Sequence, residues 1–149
     1  MYAACLVLFC SSCKEEGKSP EQLSEKTLNG TWKLVSSRVI TKKDTAVTYP
    51  VKDQEMIKIF NGSHFAFFKH DVKKGAVSAP VYDSGAGTYK LTGNNYEERL
   101  EYCNYREWEN TSFKFKLTLR NDSLIQQGIE RIDSLNVNQE ITEIYTKIR

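Results

Sequence analysis

Residues 28–35 read LNGTWKLV and place one of the chain's two tryptophans just after a glycine that is suited to ending a helix. Upstream, residues 19–22 read SPEQ, with the Ser cap, the Pro at the first helical position and the Gln that mark a helix N-terminus. Downstream, residues 31–40 are rich in β-branched and apolar residues. The stretch therefore predicts a short helix that ends near Gly30, followed at once by a first strand.

Short strand-like segments separated by turn residues fill the rest of the chain. In the clearest, residues 111–120, Phe and Leu alternate with Lys and Thr, as in an antiparallel strand with one buried face. Residues 71–86 predict a long loop, and residues 129–139 leave open a short strand or a turn of helix. The pattern predicts an all-β antiparallel fold, either an up-and-down barrel or a sandwich. The predicted strands are residues 31–40, 45–49, 55–60, 64–70, 87–92, 95–103, 111–120, 122–128 and 140–148.

Composition excludes several classes of function. The chain has 149 residues, enough for one domain, and a formal net charge of +2. The numbers of basic and acidic residues are thus nearly equal, which argues against a nucleic-acid interface, because such an interface needs a concentrated basic face. Lys and Arg stand singly or in pairs, so the sequence shows no polybasic membrane patch. No catalytic motif is present and there are only two histidines, so we expect no enzyme, no metal site and no cofactor.

The N-terminal residues look like an export signal. Residues 2–12 are apolar and then small, shorter than the about 20 residues of a transmembrane helix, and match the apolar region of a secretory signal. The two serines before Cys13 resemble the lipobox of bacterial lipoproteins, in which the cysteine is lipidated and the preceding residues are removed. The alternative is a buried N-terminal strand. We predict a signal peptide at 1–12 whose true start lies upstream of Met1, a lipidated tether and short helix at 13–29, and a barrel at 30–149.

Two later stretches, taken with the Gly-Thr-Trp at residues 30–32, indicate a family resemblance. Residues 60–68 read FNGSHFAFF, and residues 85–102 read GAGTYKLTGNNYEERLEY. Together the three resemble the lipocalin-like (calycin-type) domain lipoproteins of Bacteroidetes-type bacteria. The resemblance covers about residues 28–149 and implies an up-and-down antiparallel β-barrel of about 8–10 strands behind a short helix. With the lipobox, it also implies a monomer anchored by lipid to the outer membrane of the cell envelope, facing the periplasm or the surface.

The resemblance implies a structural role for the tryptophan. In lipocalins this side chain closes one end of the barrel beneath a basic residue from near the last strand. The plug here would consist of Gly30, Trp32 and either Lys147 or Arg149. A cation over an indole contributes about 1 kcal/mol. On this interpretation Trp32 stabilises the fold and does not contact a ligand.

The strand at 95–103 supplies the main candidate for ligand binding. Unbroken alternation places Glu98 inside the barrel between Tyr96 and Tyr102. An inward carboxylate costs several kcal/mol unless it is paired or protonated, so Glu98 could contact a ligand, reach water near a rim, or be satisfied by a structural tyrosine or arginine. Arg38 shares the face of Trp32 if its strand is unbulged, and it is a candidate partner for a ligand carboxylate or for Glu98. The predicted ligand-binding residues are Glu98, Tyr96, Tyr102, Arg38, Tyr89, Phe113 and Phe115, and the phenylalanines also fit a plain core.

The leading interpretation is a lipid-anchored barrel that binds a small, largely apolar ligand. The alternative is a surface interaction protein with a filled barrel, whose loops at 71–86 and 104–110 contact a protein or a glycan. The first predicts a ligand that copurifies with the protein, and the second predicts a partner that is lost when exposed loop aromatics are substituted. The expected partners are therefore the membrane and a small hydrophobic molecule, without nucleic acid.

Overall fold

The computed structural model describes residues 23–42 and 44–148. Within them, one short helix, α1 (Glu25–Leu28), precedes nine strands, and 3₁₀ turns lie at Arg106–Trp108 and Asp133–Leu135. The strands are β1 (Gly30–Ile40), β2 (Thr45–Tyr49), β3 (Gln54–Phe60), β4 (His64–Asp71), β5 (Tyr82–Thr92), β6 (Asn95–Cys103), β7 (Thr111–Arg120), β8 (Ser123–Ile132) and β9 (Val137–Lys147).

The strands form one antiparallel sheet that closes on itself. Their order is β2-β1-β3-β4-β5-β6-β7-β8-β9, and β1 also pairs with β9. Eight strands, β1 and β3 to β9, therefore make a closed barrel. One edge of β1 is shared, because residues 30–33 pair with β3 and residues 37–40 pair with β2. The predicted all-β barrel behind a short helix is confirmed.

β5 is longer than the sequence indicates. Residues 82–86, which we interpreted as part of the loop 71–86, pair with β4 and belong to the barrel wall. A Cβ on Gly85 would collide with the ring of Phe67 and with Leu100. In the sequence Gly85 indicates a loop, but in the structure it lies in a strand, where its neighbours leave no room for a side chain.

Residues 129–139, for which the sequence allows either a short strand or a turn of helix, are mostly strand. β8 runs to Ile132 and β9 begins at Val137. Only the 3₁₀ turn Asp133–Leu135 and Asn136, which has a φ of 55°, join them. The two strands pair over their full length, which explains why a segment without clear alternation still folds as a hairpin.

The helix begins later than the start that the sequence indicates. Ser24 is its N-cap: the Ser24 hydroxyl accepts a hydrogen bond from Thr27 N at 3.2 Å, and the Thr27 hydroxyl accepts one from Ser24 N at 3.0 Å. The predicted cap at Ser19, like the predicted lipidation site Cys13, lies outside the described residues. The helix ends at Leu28, so the predicted stop before Gly30 agrees with the structure.

A β-bulge in β1 reverses the predicted face of Arg38. The register of β1 against β9 shifts between Leu34 and Ser36, which inserts one extra residue. Beyond the shift Ser37 is buried and Arg38 is exposed. The prediction that Arg38 shares the inner face of Trp32 is wrong, because it depended on an unbulged strand.

A second bulge lies in β6. Gly87 of β5 is opposite Leu100, but Ala86 is opposite Tyr102, so Glu101 is the extra residue. After it, Tyr102 is 66% exposed on the outer face. Cys103 takes the buried position instead. The prediction that Tyr102 lines the interior is therefore wrong, for the same physical reason as for Arg38.

Trp32 closes one end of the barrel beneath α1, and we call this the closed end. Its side chain is 1% exposed, and its indole N–H donates a hydrogen bond of 2.7 Å to the carbonyl of Leu28. Lys147 Nζ lies 5.1 Å from the centre of the indole ring and donates to the carbonyl of Thr27 at 2.9 Å. Gly30 has a φ of 121°, a conformation that other residues rarely adopt. Lys147 thus lies where the resemblance implies a basic residue, whereas Arg149 is outside the described residues.

Candidate ligand site in the barrel interior

A buried ion pair crosses the interior of the barrel. Lys58 on β3 and Glu98 on β6 are 4% and 8% exposed, and Lys58 Nζ lies 2.7 Å from Glu98 Oε2. Lys58 Nζ also donates to Gln126 Oε1 on β8, at 3.1 Å. The hydroxyl of Tyr96 donates to Glu98 Oε2 at 2.6 Å. Three strands on different sides of the barrel therefore meet through one set of charged hydrogen bonds.

The cation that stabilises Glu98 is Lys58. The alternation in β6 predicts Glu98 inside the barrel beside Tyr96, where the structure has it, whereas the expected ion-pair partner was Arg38. Alternation along β3 cannot show whether Lys58 faces the interior or the solvent, because both faces of this strand carry apolar residues. Its ammonium group lies 5.0–5.6 Å from the centres of three aromatic rings, an arrangement that favours a buried cation. These rings belong to Phe60, Phe65 and Tyr96.

A second carboxyl group extends the network toward β9. Gln126 Nε2 lies 3.3 Å from Glu143 Oε2, and the hydroxyl of Tyr145 donates to the same oxygen at 2.6 Å. Burial raises the pKa of Glu143, and the negative charge of Glu98 raises it further, while Lys58 and the Tyr145 hydrogen bond oppose the shift. Burial also raises the pKa of Tyr145 well above its ordinary value, so its hydroxyl keeps its proton.

A third carboxyl group, Glu130 on β8, has a single hydrogen-bond partner among the described residues. Gln139 Nε2 on β9 donates to Glu130 Oε2 at 2.7 Å. Burial raises the pKa of Glu130 to about 7, with further contributions from the charges of Glu143 and Glu98. Gln139 and Lys58 act in the opposite direction but do not offset burial. We call the whole set the interior polar cluster: Lys58, Tyr96, Glu98, Gln126, Glu130, Gln139, Glu143 and Tyr145.

The interior polar cluster contains more acidic than basic groups. It has three carboxyl groups, on Glu98, Glu130 and Glu143, and one ammonium group, on Lys58. The ammonium is already bound to Glu98 and Gln126. An anionic group that entered the barrel would therefore be repelled, whereas a group that donates hydrogen bonds or carries positive charge would be attracted.

The other predicted ligand-binding residues form aromatic packing around this cluster. Tyr89, Phe113 and Phe115 are all buried. The Tyr96 ring lies 6.4 Å from Phe115 and 5.4 Å from Tyr89, between ring centres. Phe113 is covered by the half-buried Trp108, at 6.1 Å. The structure thus brings Tyr89, Tyr96, Glu98, Phe113 and Phe115 together in the interior, and leaves Arg38 and Tyr102 outside it.

Within residues 23–42 and 44–148, no group of three or more His, Cys, Asp or Glu side chains is arranged to hold a metal ion. A helix long and apolar enough to cross a membrane is likewise absent from this part of the chain.

The raised pKa of Glu130 predicts a pH-dependent stability. The folded state binds the Glu130 proton more tightly than the unfolded chain, where the ordinary pKa is 4.5. This contribution is therefore fully present below about pH 4.5 and is lost as the pH rises through about 7, a change of about 3 kcal/mol. Glu130→Gln should stabilise the protein at pH 8 by about that amount and have little effect at pH 4.

Urea unfolding of both proteins at several pH values measures this difference. Glu140→Gln is the matched control, because Glu140 is exposed on the neighbouring strand. A constant difference between Glu130→Gln and the parent across this pH range would contradict the assignment.

No protein-family model matches the chain, and no curated protein matches it. Among solved structures, it is similar to the crystal structure of an uncharacterized protein from Bacteroides eggerthii DSM 20697. The similarity has 15% sequence identity and a TM-score of 0.48, and covers 81% of this chain and 99% of that one. The description of the barrel accordingly rests on its own strand pairing.

Proposed function

We propose that this protein is a non-catalytic binding protein whose barrel holds a small, largely apolar molecule by a polar head group. The interior polar cluster is the observation that carries the proposal. A barrel interior serving stability alone is best filled with apolar side chains, since buried ionisable groups cost several kcal/mol unless fully paired. Buried groups with shifted pKa values are more often found where a protein binds or reacts.

The chemistry of the cluster supports a head group that donates hydrogen bonds. Lys58 is neutralised by Glu98, so Glu130 and Glu143 are the carboxyl groups without a cation of their own in the cluster. A further acceptor is Gln54 on β3, whose Oε1 atom is buried and has no hydrogen-bond partner among the described residues. A primary or secondary amine on an apolar body satisfies such acceptors, and a fatty-acid carboxylate does not.

A pair of fluorescent probes of opposite head-group charge tests this function. At pH 8 an alkyldiamine that is dansylated at one end, and keeps a free amine at the other, should bind more tightly than a dansylated fatty acid of similar length. Glu130→Gln should reduce amine binding about tenfold, because one charged contact of about 1.4 kcal/mol is lost. Glu140→Gln, which changes an exposed side chain, should leave binding unchanged.

Native mass spectrometry of protein purified from cells complements the probes by showing any bound ligand. If no bound mass is found and neither probe binds, the proposal of a ligand in the barrel is contradicted. The exposed aromatic residues of the outer face, Tyr82, Tyr102 and Tyr105, would then be the better candidates for contact with a protein or glycan.

We further propose that the barrel is anchored by lipid on Cys13 in a bacterial outer membrane. The support is the lipobox-like sequence before Cys13 and the polar residues that follow it. Two or more acyl chains, each contributing about 0.8 kcal/mol per methylene, would make a stable anchor. Cells labelled with a palmitate analogue should lose the label with Cys13→Ala and keep it with Cys10→Ala. Equal labelling of the two variants would contradict this anchor.

A further inference from the structure

Three lysines that are scattered in the sequence lie together on the outer face of the barrel. Lys90 of β5 and Lys114 of β7 are both opposite Glu97 of β6, and Lys116 is opposite Asn95. All three lysines are exposed and line a shallow depression of about 450 Å³. We call Lys90, Lys114 and Lys116 the lysine face. It exists only through strand pairing, which explains why the sequence alone shows no basic patch.

The charges of the lysine face are mostly unpaired. Among the residues that the structure describes, Glu97 is the one carboxylate that lines the depression, and its Oε1 lies 3.8 Å from Lys114 Nζ. Lys90 and Lys116 make no ion pair with any described residue. The lysine face therefore carries a local excess of two positive charges. A partner whose surface is rich in negative charge would be attracted to it.

The N-terminal segment reaches the barrel beside this face. The backbone N–H of Leu23 donates to Asn94 Oδ1 at 3.4 Å, and Asn94 O accepts from Leu117 N at 2.8 Å. Asn94 lies in the turn between Thr92 and Asn95, and both of these residues line the same depression. Cys13 and Leu23 are ten residue steps apart, so the chain between them can span at most about 35 Å when extended. An anchor at Cys13 therefore keeps the lysine face close to the membrane surface.

We propose that the lysine face docks on the phosphate head groups of anionic lipids in that membrane. The proposal rests on the Cys13 anchor proposed above, which supplies the proximity, while the lysines supply the orientation. Basic side chains near an anionic lipid surface are attracted to it, and the attraction decays within the Debye length. The barrel would thus stand with its closed end and β5–β7 toward the lipid and its opposite end toward solvent.

Vesicle flotation tests the lysine face without the lipid anchor. The full chain carrying Cys13→Ser is mixed with vesicles of phosphatidylcholine alone, or of phosphatidylcholine with phosphatidylglycerol. We expect preferential binding to the phosphatidylglycerol vesicles, and loss of that preference in about 1 M salt. The triple variant Lys90→Gln, Lys114→Gln, Lys116→Gln should reduce this binding by about tenfold or more.

The control variant removes three lysines from the loops at the other end of the barrel: Lys52→Gln, Lys73→Gln, Lys74→Gln. Both triple variants lower the formal net charge of +2 by the same three units, so a difference between them reports position and not total charge. Equal binding of the two variants, or equal binding of the parent to both kinds of vesicle, would overturn the proposal. The palmitate-labelling result is independent, so failure of the anchor and failure of the lysine face are distinguishable.

Discussion

Trp32→Ala should lower the free energy of unfolding by about 3–5 kcal/mol, the range for truncating a large buried aromatic side chain. Trp32 fills the closed end almost without exposure, and its indole N–H holds the carbonyl of Leu28 at 2.7 Å. The substitution removes this packing, leaves the carbonyl unsatisfied and uncovers the ammonium of Lys147 above the ring. Both α1 and the end of β9 would lose the surface against which they pack.

Urea unfolding followed by circular dichroism measures this loss. Lys147→Met is the informative companion, because it removes the charge over the ring and the hydrogen bond to Thr27 while keeping an apolar stem. We expect it to cost about 1–2 kcal/mol, less than the tryptophan substitution. If the free energy of unfolding of Trp32→Ala lay within about 1 kcal/mol of the parent's, Trp32 would not be a structural plug and the resemblance to lipocalins would lose its main support.

The second large effect is expected from Lys58→Met, which should destabilise the protein by about 3–5 kcal/mol. The methionine fits the aliphatic part of the lysine but removes the ammonium that lies 2.7 Å from Glu98 Oε2. Of the partners that the structure describes for Glu98, the buried carboxylate then keeps only the hydroxyl of Tyr96. Gln126 loses the donor to its Oε1 atom at the same time.

A double variant separates the ion pair from simple packing. Lys58→Met with Glu98→Gln removes both charges and keeps an acceptor for Tyr96, so it should recover most of the lost stability. Chemical unfolding of the parent, both single variants and the double variant gives the coupling energy directly. Additive losses would show that Lys58 and Glu98 do not stabilise each other.

The sequence predicts the barrel best where a strand alternates without interruption. In residues 111–120, and in residues 95–100 before the bulge, each inward position follows from strict alternation, so Glu98 could be placed before its surroundings were known. The interior misassignments arose where one extra residue enters a strand. Arg38 and Tyr102 each follow a bulge, and a bulge changes the face of every residue beyond it.

The rest of the interior polar cluster could not be inferred for a different reason. A charged residue such as Lys58 or Glu143 is assigned to the wet face by default, unless its strand has one clearly apolar side. β3 has apolar residues on both faces, and in β9 the polar residues occupy both faces. Only the register of neighbouring strands shows that Lys58, Glu98 and Gln126 lie at one level of the barrel.

The pairing of β1 with β9 has a consequence for how the protein is made. Thr27 and Lys147, which touch at the closed end, are 120 positions apart in the chain. The barrel therefore cannot close during synthesis until the last strand has left the ribosome, and such long-range pairing makes folding slow. A chain that stops before Val137 would leave β1 and β8 with open edges that pair readily with other chains. Premature termination should then produce aggregates rather than a smaller barrel.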